Sequence, residues 1–201
     1  MPELKDSILI TGTGRCGTTF LVALLTLLGM DTGFTRENIK EITLDVCRAG
    51  LEKLPGKHKI IKNPIFMITM ESYVLNSKQV PKLVIIPVRT FSESAESRYK
   101  ITEKLGLLNN PVPNGIALSK GNGGLWHANT EQEQITFYNK CMAEYIQIMT
   151  RYEIPTKFID FYRMTTSPLY LFESLKDVVE SDVTYERFEE CYKEATSLCA
   201  R

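Results

Sequence analysis

The chain has no excess charge: 24 lysines and arginines face 24 aspartates and glutamates. Without a global positive field, nucleic-acid binding is not expected, and any anion site must be built locally. No CxxC pair occurs. The five cysteines, Cys16, Cys47, Cys141, Cys191 and Cys199, are odd in number and scattered. They read as reduced thiols of a cytoplasmic protein, not as a disulfide frame or a zinc site, and no metal is expected. Histidine is scarce, with only His58 and His127, so a His-based catalytic cluster has few candidates. The longest strongly apolar run, residues 20–28, is too short to span a bilayer. Residues 1–6 lack the apolar stretch of a signal peptide.

What is present is concentrated near the start. Ile8-Leu9-Ile10 reads as a buried strand. A glycine-rich turn follows, with Gly12, Gly14 and Gly17. The apolar run 20–28 then reads as a buried helix ending at Gly29. Strand, glycine turn and helix together present backbone N–H groups to an anion at a helix N-terminus. Thr18 and Thr19 add hydroxyls, and Arg15 adds a permanent charge that can fork onto an oxyanion. As Gly12-x-Gly14-x-x-Gly17 the loop fits a dinucleotide fingerprint, but residues 30–35 make a poor second strand. As Gly12-x4-Gly17-x-Thr19 it fits a nucleoside-triphosphate loop, but Thr18 stands where that loop needs lysine. A bare glycine turn without a ligand would not need three glycines, an arginine and two threonines at this junction.

A third reading places the cation inside the loop. Arg15-Cys16-Gly17-Thr18-Thr19-Phe20 resembles the 5′-phosphosulfate loop of the sulfotransferase family, with Cys16 in place of the usual serine. Further on, Arg89 and Ser97 have the Arg-x7-Ser spacing with which that family holds the donor's 3′-phosphate. Lys62, after the second expected strand, resembles the family's lysine near the bridging oxygen between sulfate and phosphate. Where cytosolic members continue with a catalytic histidine, this chain has Asn63-Pro64. Carbohydrate- and tyrosine-directed members use a glutamate after the first helix, a role open here to Glu37. Glu37 reads equally well as a carboxylate complementing a helix N-terminus. His58 reads as a surface residue, and His127 is the second candidate base. Lys120-Gly121-Asn122-Gly123-Gly124-Leu125-Trp126 resembles the family's nucleotide-closing loop, out of its usual chain order, with Lys120 a candidate anion ligand.

The remaining chain alternates strand and helix signals. Strands are expected near 7–11, 58–62, 82–88 and 157–161, and Pro87 fits a strand exit. Helices are expected over 37–53, 65–75, 91–104, 131–152, 169–179 and 185–197. Residues 107–129 form a long loop that reads as a lid or acceptor loop. The pattern predicts a single α/β domain over 1–201. It would be a three-layer sandwich around a central parallel sheet of 4–5 strands, with a P-loop-like nucleotide site.

The resemblance implies transfer of a sulfuryl group from 3′-phosphoadenosine-5′-phosphosulfate to an acceptor hydroxyl or amine, on a small molecule or carbohydrate. Arg15, Lys62 and Glu37 would carry the chemistry. Gly14, Arg15, Cys16, Gly17, Thr18, Thr19, Arg89, Ser97 and Lys120 would hold the donor. Two readings stand beside it. One is a Mg-dependent nucleotide or small-molecule kinase with Asp160 as its strand-end acid; the other is a nucleotide-binding module without catalysis.

Overall fold

The computed structural model describes residues 4–39, 50–53, 57–109 and 123–199. Its four strands are β1 (Ile8–Ile10), β2 (Ile60–Lys62), β3 (Leu83–Val88) and β4 (Thr156–Asp160). They form one parallel sheet in the order β2-β1-β3-β4. Helices α1 (Thr18–Leu27), α2 (Phe66–Ser77), α3 (Phe91–Lys104) and α4 (Glu131–Arg151) follow the expected alternation. The chain closes with α5 (Phe161–Thr166), α6 (Pro168–Leu175) and α7 (Tyr185–Cys199). No described helix is long and apolar enough to cross a membrane.

Alternation along the strands divides the core in two. Ile8, Ile10, Ile60, Ile85 and Ile159 face one side and pack with α1, Met164, α6 and α7. Leu9, Ile61, Val84 and Ile86 face the other and pack with α2 and α4. A sheet covered on both faces needs strands apolar at every position, which is why Ile8-Leu9-Ile10 shows no polar alternation. Helix α1 is buried along its whole length. It ends in a Schellman motif: the Gly29 amide donates to Thr26 O at 2.9 Å and the Met30 amide to Leu25 O at 3.0 Å.

Pro87 is the penultimate residue of β3, paired with Ile159, near the strand exit expected for it. The Val84 amide donates to Pro155 O on the β4 side, so position 87 would donate towards β1. A proline there lacks that N–H, and β1 pairs with β3 only as far as Ile10 and Ile85. Helix α5 was not expected, and α6 stops at Leu175, short of 179. Of the helix expected over 37–53, residues 40–49 lie outside the described residues, and 50–53 have no regular structure. Of the loop expected over 107–129, residues 110–122, including Lys120, also lie outside them.

Strand order fixes where a ligand can sit. From β1 the chain passes to β2 on one side and then returns to β3 on the other. The carboxyl ends of β1 and β3 therefore flank the reversal point, where open α/β sheets bind ligands.

Candidate functional site

The glycine loop leaves β1 at this reversal point and enters α1. Gly14, Arg15 and Gly17 all have positive φ, at 77°, 57° and 88°. Gly17 is the N-cap of α1 and offers no side chain to its first amides, and no acid occupies the first turn. A helix N-terminus without a side-chain cap is one that can take an anion. Thr18 and Thr19 are buried in that first turn.

Arg15, Arg89 and Ser97 come together, with different pairing from that expected. Arg15 Nε donates to Ser97 Oγ at 3.0 Å. Arg89 Nη1 donates to the Arg15 carbonyl oxygen at 3.1 Å. Arg89 thus holds the main chain of the loop at its arginine. Its guanidinium lies 4.7 Å from the Phe161 ring centroid, and its Nε stands 3.9 Å from Glu93 Oε2, beyond hydrogen-bond reach. Glu93 also takes hydrogen bonds from Thr90 and Tyr162, so one carboxylate gathers the ends of β3 and β4.

Lys62 ends β2 with its side chain only 3% exposed. Its ammonium donates to Thr19 Oγ1 at 3.4 Å, to Gly50 O at 2.6 Å and to the Glu52 carboxylate. The three donors of the ammonium tie the glycine-loop helix to the 50–53 segment. Burial pushes the Lys62 ammonium below its usual range, and the Glu52 charge works against that shift. Cys16 is fully buried between cations. Burial pushes its thiol up, while the Gly14 backbone, Arg98 and Lys62 pull the other way. A neutral, enclosed thiol is a packing group, not a nucleophile.

Glu37 is exposed in the turn after α1. In that turn the Thr35 amide donates to Asn38 Oδ1 at 2.8 Å, and Arg36 pairs with Glu194 of α7. The carboxylate placed on Lys62 is Glu52 instead. Nothing in the sequence pattern signals Glu52, because its partner is brought in by the hydrogen bond of the Lys53 amide to the Lys62 carbonyl oxygen. His58 is half-buried, with Nδ1 2.8 Å from Asp31 Oδ1. His127 packs on Phe137, ring centroids 4.8 Å apart, in the core behind the other sheet face. Its Nε2 is buried without a hydrogen-bond partner, and burial lowers its basicity. Asp160 caps α5, accepting from the Arg163 amide at 2.7 Å. Among the described residues no cluster of three or more metal-ligating side chains occurs.

Sequence reasoning also missed Arg98, which follows Ser97 on α3. It is 6% exposed and donates to Thr13 O at 3.3 Å and to Gly124 O. Its neighbour Tyr138, on α4, has its phenol pushed up to about 12 by burial, against the pull of Arg98. Burial likewise raises the Cys141 thiol to about 11.

Both groups are held neutral in the fold and ionise more easily in the unfolded chain. Their contribution is complete below the unfolded values and is lost as pH rises through the folded ones. Stability should therefore fall between about pH 9 and about pH 12. Lys62, shifted down, opposes the trend. Thermal unfolding across that range checks it, and Tyr138→Phe should flatten the fall.

No known family description, curated protein or solved structure matches this chain.

Proposed function

We propose that the chain is a sulfotransferase that uses 3′-phosphoadenosine-5′-phosphosulfate and passes its sulfuryl group to an acceptor hydroxyl or amine. The observation that carries this reading is the convergence on one loop. Lys62 from the end of β2 reaches Thr19, and Arg89 from the end of β3 grips the Arg15 carbonyl. Ser97 from α3 takes the Arg15 side chain. Three separated segments thus supply cations or hydroxyls around an uncapped helix N-terminus, as binding of a nucleotide with anionic groups on both its 3′ and 5′ sides requires.

The donor supplies the activated sulfuryl group; the chain's residues position it and neutralise charge. Loop amides of residues 14–19 and the Arg15 guanidinium would hold the 5′-side oxyanions. Lys62 would stabilise the charge that develops on the leaving phosphate, exchanging its long bond to Thr19 Oγ1 for the donor while keeping Glu52. Glu52, within reach of Lys62, is the carboxylate best placed to take the acceptor proton. The acceptor, a small molecule or carbohydrate, would enter past residues 30–35.

The kinase reading asks for a strand-end acid free to hold Mg²⁺. Asp160, the one candidate, is engaged as a helix cap, which favours the first reading. Thermal shift separates the readings. Adenosine 3′,5′-bisphosphate should raise the melting temperature more than ATP with Mg²⁺ does, following RT ln(1 + [L]/Kd). A larger shift with ATP and Mg²⁺ supports the kinase. A shift with the bisphosphate but no turnover on any acceptor supports a binding module. In the same assay Arg89→Ala should weaken bisphosphate binding by about 1.5–3 kcal/mol, the value of a charged hydrogen bond that positions the loop. Its preference over a nucleotide lacking the 3′-phosphate should shrink. Equal binding of both nucleotides by the wild type would remove Arg89 and Ser97 from the 3′-phosphate.

A further inference from the structure

Two buried cations flank the glycine loop, and they are balanced differently. Lys62 has the Glu52 carboxylate. Arg98 has two carbonyl oxygens and the neighbouring Tyr138 phenol, and among the described residues no carboxylate pairs with it. Its Nε is buried without a hydrogen-bond partner, as are Ser94 Oγ one turn earlier on α3 and Tyr138 OH on α4. A buried cation without a counter-charge is destabilising unless something supplies that charge. The guanidinium lies directly against Gly14: a Cβ built there would come closer than 3.0 Å to Nη2. It also fixes the carbonyl of Thr13. An anion seated on the amides of this loop would be its nearest negative partner, in a site where poor screening makes the attraction strong.

The same side chain reaches the other way. Arg98 also donates to Gly124 O, and its Cζ lies 5.6 Å from the centroid of Trp126, the single tryptophan of the chain. The segment around it is sewn to two helices. The Leu125 amide donates to Thr102 Oγ1 at 2.8 Å, and the Trp126 amide to Gln134 Oε1 at 2.6 Å. One guanidinium therefore bridges the glycine loop and the 123–129 segment.

We infer that Arg98 is the buried counter-charge of an oxyanion held by the glycine loop, and the link that carries occupation of that loop to the 123–129 segment. The inference rests on the reading of the loop as an oxyanion cradle. It makes Arg98 a positioning residue that acts through the Thr13 and Gly124 carbonyls.

Trp126 makes the test direct. The full chain is titrated with sodium pyrophosphate, sodium sulfate and adenosine 3′,5′-bisphosphate at ionic strength matched with sodium chloride. Tryptophan emission and calorimetric heat are recorded in parallel. In the wild type, emission should change with the same midpoint as the heat. Arg98→Lys keeps the charge but not the two-carbonyl fork, so it should bind within a few-fold of wild type with at least half of the emission response lost. Arg98→Met should bind at least tenfold more weakly. Heat without an emission change in the wild type overturns the link while leaving the cradle intact. Wild-type affinity in Arg98→Met overturns the counter-charge. No heat with any of the three probes overturns the cradle reading and the inference together. Because the wild-type titration needs no variant, the test survives misfolding of either substitution.

Discussion

Lys62→Met should lower turnover by about 10²–10³-fold, the effect of losing one preorganised donor aimed at developing charge. The same change should cost less stability than breaking the pair from the Glu52 side. Lys62 is the buried member of its pair, whereas the Glu52 side chain is 40% exposed and returns to water when the ammonium is gone. Removing one member of an ion pair is costly when the other is left buried and unpaired, and Glu52 is not so left. Against this stand only the lost bonds to Gly50 O and Thr19 Oγ1, each worth about 0.5–1.5 kcal/mol, or up to about 3 when charged. Glu52→Gln reverses the pattern. It leaves the buried ammonium without its counter-charge, so it should destabilise more than Lys62→Met. If Glu52 takes the acceptor proton, turnover should fall about 10²–10⁴-fold while nucleotide affinity holds. Urea denaturation and single-turnover kinetics on both variants separate the two effects. Glu37→Gln in the same assay should stay near wild type. A collapse there with normal Glu52→Gln turnover would move the proton acceptor to Glu37.

Gly14→Ala should destabilise the fold by about 3–5 kcal/mol, combining a left-handed alanine with loss of the Arg98 contacts. Backbone conformation accounts for about 1–2 kcal/mol of this, since Gly14 has φ 77°. The larger part comes from the new methyl meeting Arg98 Nη2 closer than any real contact permits. Arg98 is 6% exposed and cannot swing into water without breaking its bonds to Thr13 O and Gly124 O. Gly29→Ala provides the comparison. Gly29 has φ 85°, but a methyl there meets nothing within 4 Å. It should cost only the conformational part, about 1–2 kcal/mol. Equal losses at the two positions, measured by denaturant unfolding, would mean that Arg98 is not pinned. Nucleotide affinity should fall with Gly14→Ala and stay unchanged with Gly29→Ala.

The strand, turn and helix at the start of the chain were legible because their causes are local. An apolar run, glycines at left-handed positions and a glycine after an apolar helix act within a few residues of themselves. Helix α3 shows its whole extent, 91–104, in the sequence for the same reason. Helix α5 escaped notice because six residues are too few for a helical period, and its cap, Asp160, doubles as the last residue of β4. The Arg15, Arg89 and Ser97 cluster was readable as a set of residues, since all three sit at strand ends or one helix beyond. Their pairing was not, because it depends on how the loop main chain turns at Arg15.

By itself, the sequence determined the parallel α/β pattern, the glycine-rich turn between β1 and α1 and which charges stand near strand ends. Backbone propensity and apolar periodicity are properties of short segments and do not depend on what packs against them. Only the tertiary structure decided which charges share a desolvated volume. Ordering the strands β2-β1-β3-β4 brings Lys62 to Thr19, the 50–53 segment bonded to the end of β2 brings Glu52 to Lys62, and packing α3 under the loop brings Arg98 against Gly14. The strength of a charge interaction depends on distance and on the exclusion of water, and both are set by the packing of segments far apart in the chain.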